Sequence, residues 1–313
     1  MNHLPLLTLT AMIAFAGNSL LCRFALKSTA IDWASFTLLR IASGALVLWL
    51  IVRIRNAKNR DKNAAVIDRD KNAHLSAGSW PAAFALFVYA ASFSTAYVSL
   101  PAGIGALLLF GAVQATMIGV GLWSGERFSL RQWLGLLCAL GGLASLLLPK
   151  TLADAQAAHG APSFLGAALM VSAGVAWGIY SLRGRKSLGD PVSVTAGNFL
   201  RTVPMALLFL LIPLFLSSLG AVTVHTVTWD SMGVWAAVAS GALASGVGYA
   251  VWYTALPMLK ATSAATVQLS VPVIAAAGGI VFLDEAITAG LVVASVAILG
   301  GIALVILGRQ SAK

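Results

Sequence analysis

Apolar residues dominate this chain in long runs rather than in alternation. Ten runs are long enough to cross about 30 Å of hydrocarbon as helices, at approximately 4–25, 33–52, 79–98, 102–123, 130–149, 163–183, 191–216, 231–254, 261–282 and 288–308. Polar breaks separate them and carry start signals. Asp32 is placed as an N-cap, Asp190 as a cap followed by Pro191 at the first helical position, and Ser129 and Thr288 as equivalent caps. The pattern predicts an all-α polytopic membrane protein. The first run, preceded by Met1-Asn2-His3 without Lys or Arg and followed by nine more spans, reads as helix 1 rather than a signal peptide.

The pattern also repeats. Ser124-Gly125-Glu126 before a run containing Gly141-Gly142 matches Leu283-Asp284-Glu285 before a run containing Gly300-Gly301, with both the Glu and the Gly-Gly 159 residues apart. Leu39-Arg40 returns as Leu200-Arg201, and Tyr97 with Leu100-Pro101 returns as Tyr253 with Leu256-Pro257. Near-constant offsets indicate a duplicated unit of five spans. An odd number of spans makes the second copy enter the bilayer upside down. We therefore expect two inverted five-helix repeats around a central cavity, 1–149 and 163–308, joined by a periplasmic connector at 150–162.

Composition agrees with a lipid environment. Hydrophobic residues make up 59% and charged residues 10%, far below the roughly one quarter charged of a soluble domain. The net charge of +10 follows from loop bias instead of a nucleic-acid surface. With the N-terminus inside, fifteen Lys and Arg fall in inner segments, among them Arg53, Arg55, Arg127, Arg131, Arg183 and Lys260. Only Arg23, Lys27 and Lys150 fall outside. Both termini are expected on the cytoplasmic side. Cys22 and Cys138 lie in apolar runs, so no disulfide framework is expected.

Two halves of five helices, each with a Glu after its fourth helix and Gly-Gly in its fifth, resemble the EamA repeats of the drug/metabolite transporter superfamily. The second half follows the family pattern more closely, with Ala255-Leu256, Val271-Pro272-Val273 and Leu283-Asp284-Glu285; the first half has Ala112-Val113-Gln114 where a proline would match Pro272. Richness in aromatics further resembles the bacterial inner-membrane exporters of aromatic amino acids. The resemblance implies a ten-helix bundle in the inner membrane that exports metabolites, amino acids or drugs.

Helical spacing nominates cavity-facing residues. Tyr89, Phe93 and Tyr97 recur every four residues, and the repeat maps them onto Ser245, Tyr249 and Tyr253. Phe15, Asn18 and Cys22 share a face of helix 1, and Trp177 and Tyr180 share one of helix 6. Helix 4 brings Phe110 and Gln114 together; helix 9 carries Ser263, Thr266, Gln268 and Ser270. A primary amide at bilayer depth needs a neighbouring helix, water or a ligand, so Asn18, Gln114 and Gln268 are the informative ones. The expected substrate contacts are Phe15, Asn18, Tyr89, Tyr97, Gln114, Trp177, Tyr180, Tyr249, Tyr253 and Gln268. The competing reading makes the amides interhelical bonds and the rings an interfacial belt.

Arg40 and Arg201 lie inside spans at matched positions. Each either attracts an anionic solute or braces a helix, Arg40 by snorkelling outward; symmetric placement favours bracing, while two cavity arginines would favour a phosphorylated sugar. Glu126 and Glu285 are expected to stabilise the N-terminus of the helix that follows each. Pro272 is expected to kink helix 9, as a hinge or by packing alone. Glycine pairs, including Gly174 and Gly178, favour close helix packing. No P-loop, no His pair at metal spacing and no local nucleophile signature occurs, and His3, His74, His159 and His225 fall in loops or at a terminus. A solute carrier is therefore preferred to a lipid enzyme. It would need no cofactor or metal and no protein partner, only a small-molecule substrate and the bilayer.

Overall fold

The computed structural model describes residues 3–60, 77–123, 125, 129–147, 164–186, 189–218, 227–259 and 267–308. Among them are ten long helices: α1 Leu4–Ser28, α2 Trp33–Arg60, α3 Trp80–Tyr97, α4 Ala102–Trp123, α5 Leu130–Leu147, α6 Phe164–Lys186, α7 Pro191–Ser218, α8 Ser231–Ala255, α9 Ser270–Leu283 and α10 Ala289–Gly308. Six of them, α1, α2, α4, α6, α7 and α8, are each long and apolar enough to cross a membrane. The span expected at 261–282 differs most from its helix. Val267 and Gln268 are helical, Leu269 turns, and α9 begins at Ser270; Ser263 and Thr266 lie outside the described residues.

Caps fall where side chains can accept the orphan amides of a first turn. Asp32 accepts from the N–H groups of Ala34 and Ser35 at 3.0 and 2.9 Å, and its second oxygen accepts from Thr228 N, which ties α2 to the approach of α8. Thr288 caps α10 through Leu291 N, and Gln132 Oε1 accepts from Ser129 N at 2.8 Å in half of a capping box. Asp190 caps α7 through Ser193 N and binds Arg55 of α2 at 3.2 Å. Partial burial pushes the Asp190 carboxyl upward, but the Ser193 hydroxyl and N–H and the Arg55 guanidinium outweigh it and hold the group below its ordinary value. Its stabilising contribution is therefore complete above the unfolded carboxylate value and fades as pH falls through the lower folded value. Asp190→Ala should cost about 1 kcal/mol, the scale of a lost N-cap. The difference in melting temperature between wild type and variant in detergent should vanish at acid pH.

Helices that are apolar all round can face lipid on one side and each other on the opposite side, so side-chain size sorts the faces. Buried positions are rich in alanine, with Ala11, Ala16, Ala90, Ala96, Ala106, Ala173, Ala237 and Ala275 inaccessible. Leu6, Leu9 and Ile13 of α1, Leu207, Leu208 and Leu211 of α7, and Val292, Val293 and Val296 of α10 are exposed. The main helix contacts recur when each helix is exchanged for the one five places along. Thus α1 lies on α8 and α9 as α6 lies on α3 and α4, α2 meets α8 as α7 meets α3, and α2–α7, α4–α9 and α5–α10 meet their own counterparts.

The repeated Gly-Gly pairs act at one such contact. A Cβ on Gly301 would stand 2.5 Å from the Gly135 carbonyl and 2.7 Å from Ala139 N, and one on Gly142 would stand 2.9 Å from Ala297 Cβ, while Gly141 and Gly300 face open space. Only one glycine of each pair is needed for α5 to approach α10. Gly301→Ala should destabilise by about 1–3 kcal/mol because backbone atoms cannot yield. Gly300→Ala, one residue away, should be neutral or slightly stabilising; paired melting curves decide.

Candidate functional site

One cavity of about 390 Å³ lies inside the bundle, within the range of about 300–1,000 Å³ usual for small-molecule sites. Phe15, Asn18 and Ser19 of α1, Tyr89 and Phe93 of α3, Phe110, Gln114 and Met117 of α4, Trp177 and Ser181 of α6, and Ser245, Tyr249, Trp252 and Tyr253 of α8 line it, with Gln268 just before α9. The wall also reaches Gly184, Pro191 and Leu256, at the end of α6, the start of α7 and the end of α8. These three belong to the end of the bundle where α1 begins.

The rings form a continuous band. Trp177 is its centre, with ring centroids 4.8 Å from Tyr89 and 5.3 Å from Tyr249. Tyr249 continues edge-on to Phe15 at 5.6 Å, and Phe15 to Trp252 at 5.9 Å. Tilted and edge-on contacts of this kind fix ring orientation while leaving faces available to a flat guest. Amides interrupt the band. Asn18 Nδ2 donates to Tyr89 Oη at 3.3 Å, and Ser240 Oγ donates to Asn18 Oδ1 at 2.7 Å, which sets the amide's orientation. Gln114 and Gln268 add two more amide side chains to the cavity wall. Ser240 and Ser245 lie on the π-helical segment of α8, Ser240–Val247, whose wider turn is a recurrent feature of functional sites in helices.

Eight of the ten expected contacts line this cavity: Phe15, Asn18, Tyr89, Gln114, Trp177, Tyr249, Tyr253 and Gln268. Tyr97 and Tyr180 do not. Tyr97 is fully buried at the C-terminal end of α3, its hydroxyl donating to the Ala102 carbonyl at 3.3 Å. Tyr180 points behind Trp177 and accepts from Asn198 Nδ2 at 3.4 Å. Four-residue spacing advances slightly more than one turn, so Tyr97 has rotated and climbed past the cavity. Ser19, Trp252 and Ser240 escaped the sequence reading because their partners lie on helices remote in sequence, 222 residues away for Ser240 and Asn18.

The charged residues depart from expectation in instructive ways. Arg40 does not snorkel; it is 1% exposed, donates to Tyr89 Oη at 2.9 Å, and stands 4.7 Å from the Phe93 ring centroid. The wall residues Tyr89 and Phe93 thus separate it from the cavity. Arg201 donates to the carbonyls of Ala77 and Gly197 at 2.6 and 3.0 Å, so it braces the entry to α3 on α7. Glu285 caps α4 rather than α10, by accepting from Ala102 N at 2.9 and 2.8 Å with its two oxygens. It also pairs with Arg23 at 3.3 Å, while Asp284 before it takes a left-handed conformation that ends α9. Arg23 donates further to the carbonyls of Tyr97 and Val98, and Lys27 to that of Leu283. This cluster closes the bundle at the end opposite the cavity mouth. Glu126 lies outside the described residues. Pro272 falls in the first turn of α9, directly after the break between the helical Val267 and Gln268 and Ser270, where its missing N–H leaves the Gln268 carbonyl without that helical donor.

Ten apolar helices enclosing an aromatic, amide-bearing cavity define a multi-pass membrane transporter. The profile of the EamA-like transporter family matches residues 164–307, the second half. A Pseudomonas aeruginosa protein described as uncharacterized is 51% identical over 305 residues, 97% of this chain and 94% of that one. The chain belongs to the EamA-like transporter family of the drug/metabolite transporter superfamily. It is similar to a probable amino-acid metabolite efflux pump of Escherichia coli, 26% identical over 68% of this chain and 70% of that one. It is likewise similar to an uncharacterized transporter of Bacillus subtilis, 25% identical over 56% and 57%. A crystal structure 20% identical superposes with a TM-score of 0.61 over 100% of both chains, a likeness of fold.

Proposed function

We propose that this transporter exports amino acids, aromatic ones in particular, across a bacterial inner membrane by alternating access. The observation that carries the reading is the Tyr89–Trp177–Tyr249–Phe15 ring band beside the amides of Asn18, Gln114 and Gln268 in one cavity. Rings supply stacking surface for an aromatic side chain, and amides supply neutral polar contacts for a zwitterion. Similarity to the probable amino-acid metabolite efflux pump supports the class of cargo. The exchange-symmetric packing supports two inverted repeats, 1–149 and 163–308, whose relative rocking opens either end. Charge bias supports a cytoplasmic placement of the open end. A phosphorylated sugar is disfavoured, since Arg201 binds backbone carbonyls and Arg40 stands behind the wall. Purified protein in liposomes should take up radiolabelled tryptophan and phenylalanine; folded protein that moves neither would overturn the reading.

Energy coupling follows from the same wall. Among the described residues, those that line the cavity include no carboxylate and no imidazole, and a proton-coupled carrier needs a titratable group that proton and substrate share. We therefore expect facilitated movement down the amino-acid gradient. Imposing a pH gradient of either sign on proteoliposomes should leave the accumulation plateau unchanged. Uphill accumulation that a protonophore abolishes would refute it.

A further inference from the structure

The closed end of the cavity holds a set of donors that the fold leaves unused. Tyr89 Oη accepts two hydrogen bonds, from Arg40 Nη2 at 2.9 Å and from Asn18 Nδ2 at 3.3 Å. A phenol oxygen offers two lone pairs and one proton, so both acceptor places are filled and the proton remains to be donated. Ser245, 1% exposed and on the cavity wall, has a hydroxyl with no partner. Arg40 itself keeps Nε and Nη1 buried and unpartnered. Its guanidinium rests on the rings of Phe93 and Tyr89, at 4.7 and 5.2 Å from their centroids. Neither ion pair among the described residues includes it, since those join Arg23 to Glu285 and Arg55 to Asp190. A buried cation is costly unless an anion or dipoles face it. Here the negative faces of two rings and one phenol oxygen answer only part of the charge.

We propose that Arg40, acting through the Tyr89 hydroxyl and together with the Ser245 hydroxyl, makes this end of the cavity a carboxylate-recognition subsite. Arg40 is a positioning residue. It fills one lone pair of Tyr89, polarises the O–H towards the cavity, and supplies the positive potential that an incoming carboxylate neutralises. Tyr89 and Ser245 are the contacts, each donating one charge-assisted hydrogen bond. The match is to a monoanion. One cation behind the wall balances one carboxylate, whereas a phosphate dianion would bring uncompensated charge into apolar surroundings. Asn18, held by Ser240, keeps the second lone pair of Tyr89 occupied, so the phenol cannot turn to accept. The selected feature of the solute is then its carboxylate, and the ring band sorts what is attached to it. The inference rests on the cavity being the transport site, and it deepens that reading without requiring the solute to be an amino acid.

Three ligands separate the terms: phenylalanine, phenylalaninamide, which lacks the carboxylate, and 3-phenylpropionate, which lacks the amine. Binding of each to the full-length protein in detergent is read by thermal shift and by competition with labelled phenylalanine or 3-phenylpropionate. Wild type should bind both acids at least about tenfold more tightly than the amide, the scale of one charge-assisted hydrogen bond. Tyr89→Phe and Ser245→Ala, both small changes, should each weaken the acids by about tenfold or less and leave the amide within about twofold. Arg40→Gln should lower the acid-to-amide ratio although it touches neither ligand, and Arg40→Lys should restore part of it. A merely structural role would move acid and amide together, and ligand-free melting temperatures show which variants are folded. Equal binding of acid and amide by wild type, equal losses for both in Tyr89→Phe and Ser245→Ala, or no binding of either acid overturns the subsite. Binding of 3-phenylpropionate with acid preference, but no transport of any amino acid, upholds the subsite and removes the amino-acid reading instead.

Discussion

Trp177→Ala should lower transport of tryptophan and phenylalanine by at least about tenfold, with Tyr249→Ala close behind. Trp177 touches Tyr89, Tyr180 and Tyr249 at centroid separations of 4.8, 5.3 and 5.3 Å, so its removal opens the ring band at its centre. Aromatic pairs contribute about 0.5–1.5 kcal/mol each beyond the area they cover, and two lost pairs already approach the 1.4 kcal/mol that corresponds to tenfold. Part of the effect is direct loss of stacking for the solute, and part is loosening of Tyr89 and Tyr249. Trp177→Phe separates these, since a smaller ring retains a stacking face and should keep most of the activity. Uptake is normalised to folded protein from monodisperse chromatographic peaks. Transport unchanged in Trp177→Ala would detach the band from function altogether.

The second large effect concerns the closed end. Glu285 serves two donors with one carboxylate, namely Arg23 Nε through one oxygen and Ala102 N through both, in a setting where Arg23 and Glu285 side chains are 11% and 10% exposed. Removing one partner of such a pair strands the other, and costs about 3–5 kcal/mol. A difference of about 5.5 kcal/mol carries a two-state equilibrium from one side to the other, so Glu285→Ala should depopulate the form with this end shut by well over a hundredfold. Cys22, adjacent to Arg23 and fully buried, reports the change once the exposed Cys138 is replaced by serine. An impermeant maleimide applied from the side of the bundle that holds Arg23 should label Cys22 in Glu285→Ala much faster than in wild type. Glu285→Gln keeps one acceptor oxygen for Ala102 N and should lie between. Labelling at the wild-type rate in folded Glu285→Ala would show that the cluster is not what holds this end closed.

Most of the helix inventory was legible in the chain because lipid imposes a single demand, that every backbone polar group be satisfied within its own segment. Run length and cap chemistry answer that demand locally: Asp32, Asp190 and Thr288 accept first-turn amides as expected, while at Ser129 it is the Gln132 side chain that accepts from the Ser129 N–H. The ninth span was the exception. Its residues are apolar enough to read as one run, but turn formation at Leu269 and the start of α9 at Ser270 depend on neighbours that hydropathy does not describe.

The site divides in the same way. Residues on α1, α3, α4, α6 and α8 that share a face by periodicity reached the cavity because rotation about a helix axis is a local property. Depth along the axis and the path of a long side chain are not. Tyr97 sits one turn too far along α3, and Tyr180 turns to Asn198 of α7. Arg40 and Arg201 occupy matched places in the repeat yet have unlike surroundings, one against Tyr89 and Phe93, the other on the carbonyls of Ala77 and Gly197. Glu285 stabilises a helix start as its position foretold, but the start of α4, which only packing brings within reach. Solvent, span number and the faces of helices were thus determined by the sequence itself, since each follows from local periodicity and from the cost of bare polar groups in hydrocarbon. Partners of buried charges, the shut end and the unused donors of Tyr89 and Ser245 were decided by the tertiary structure, because each depends on distances between residues far apart in the chain.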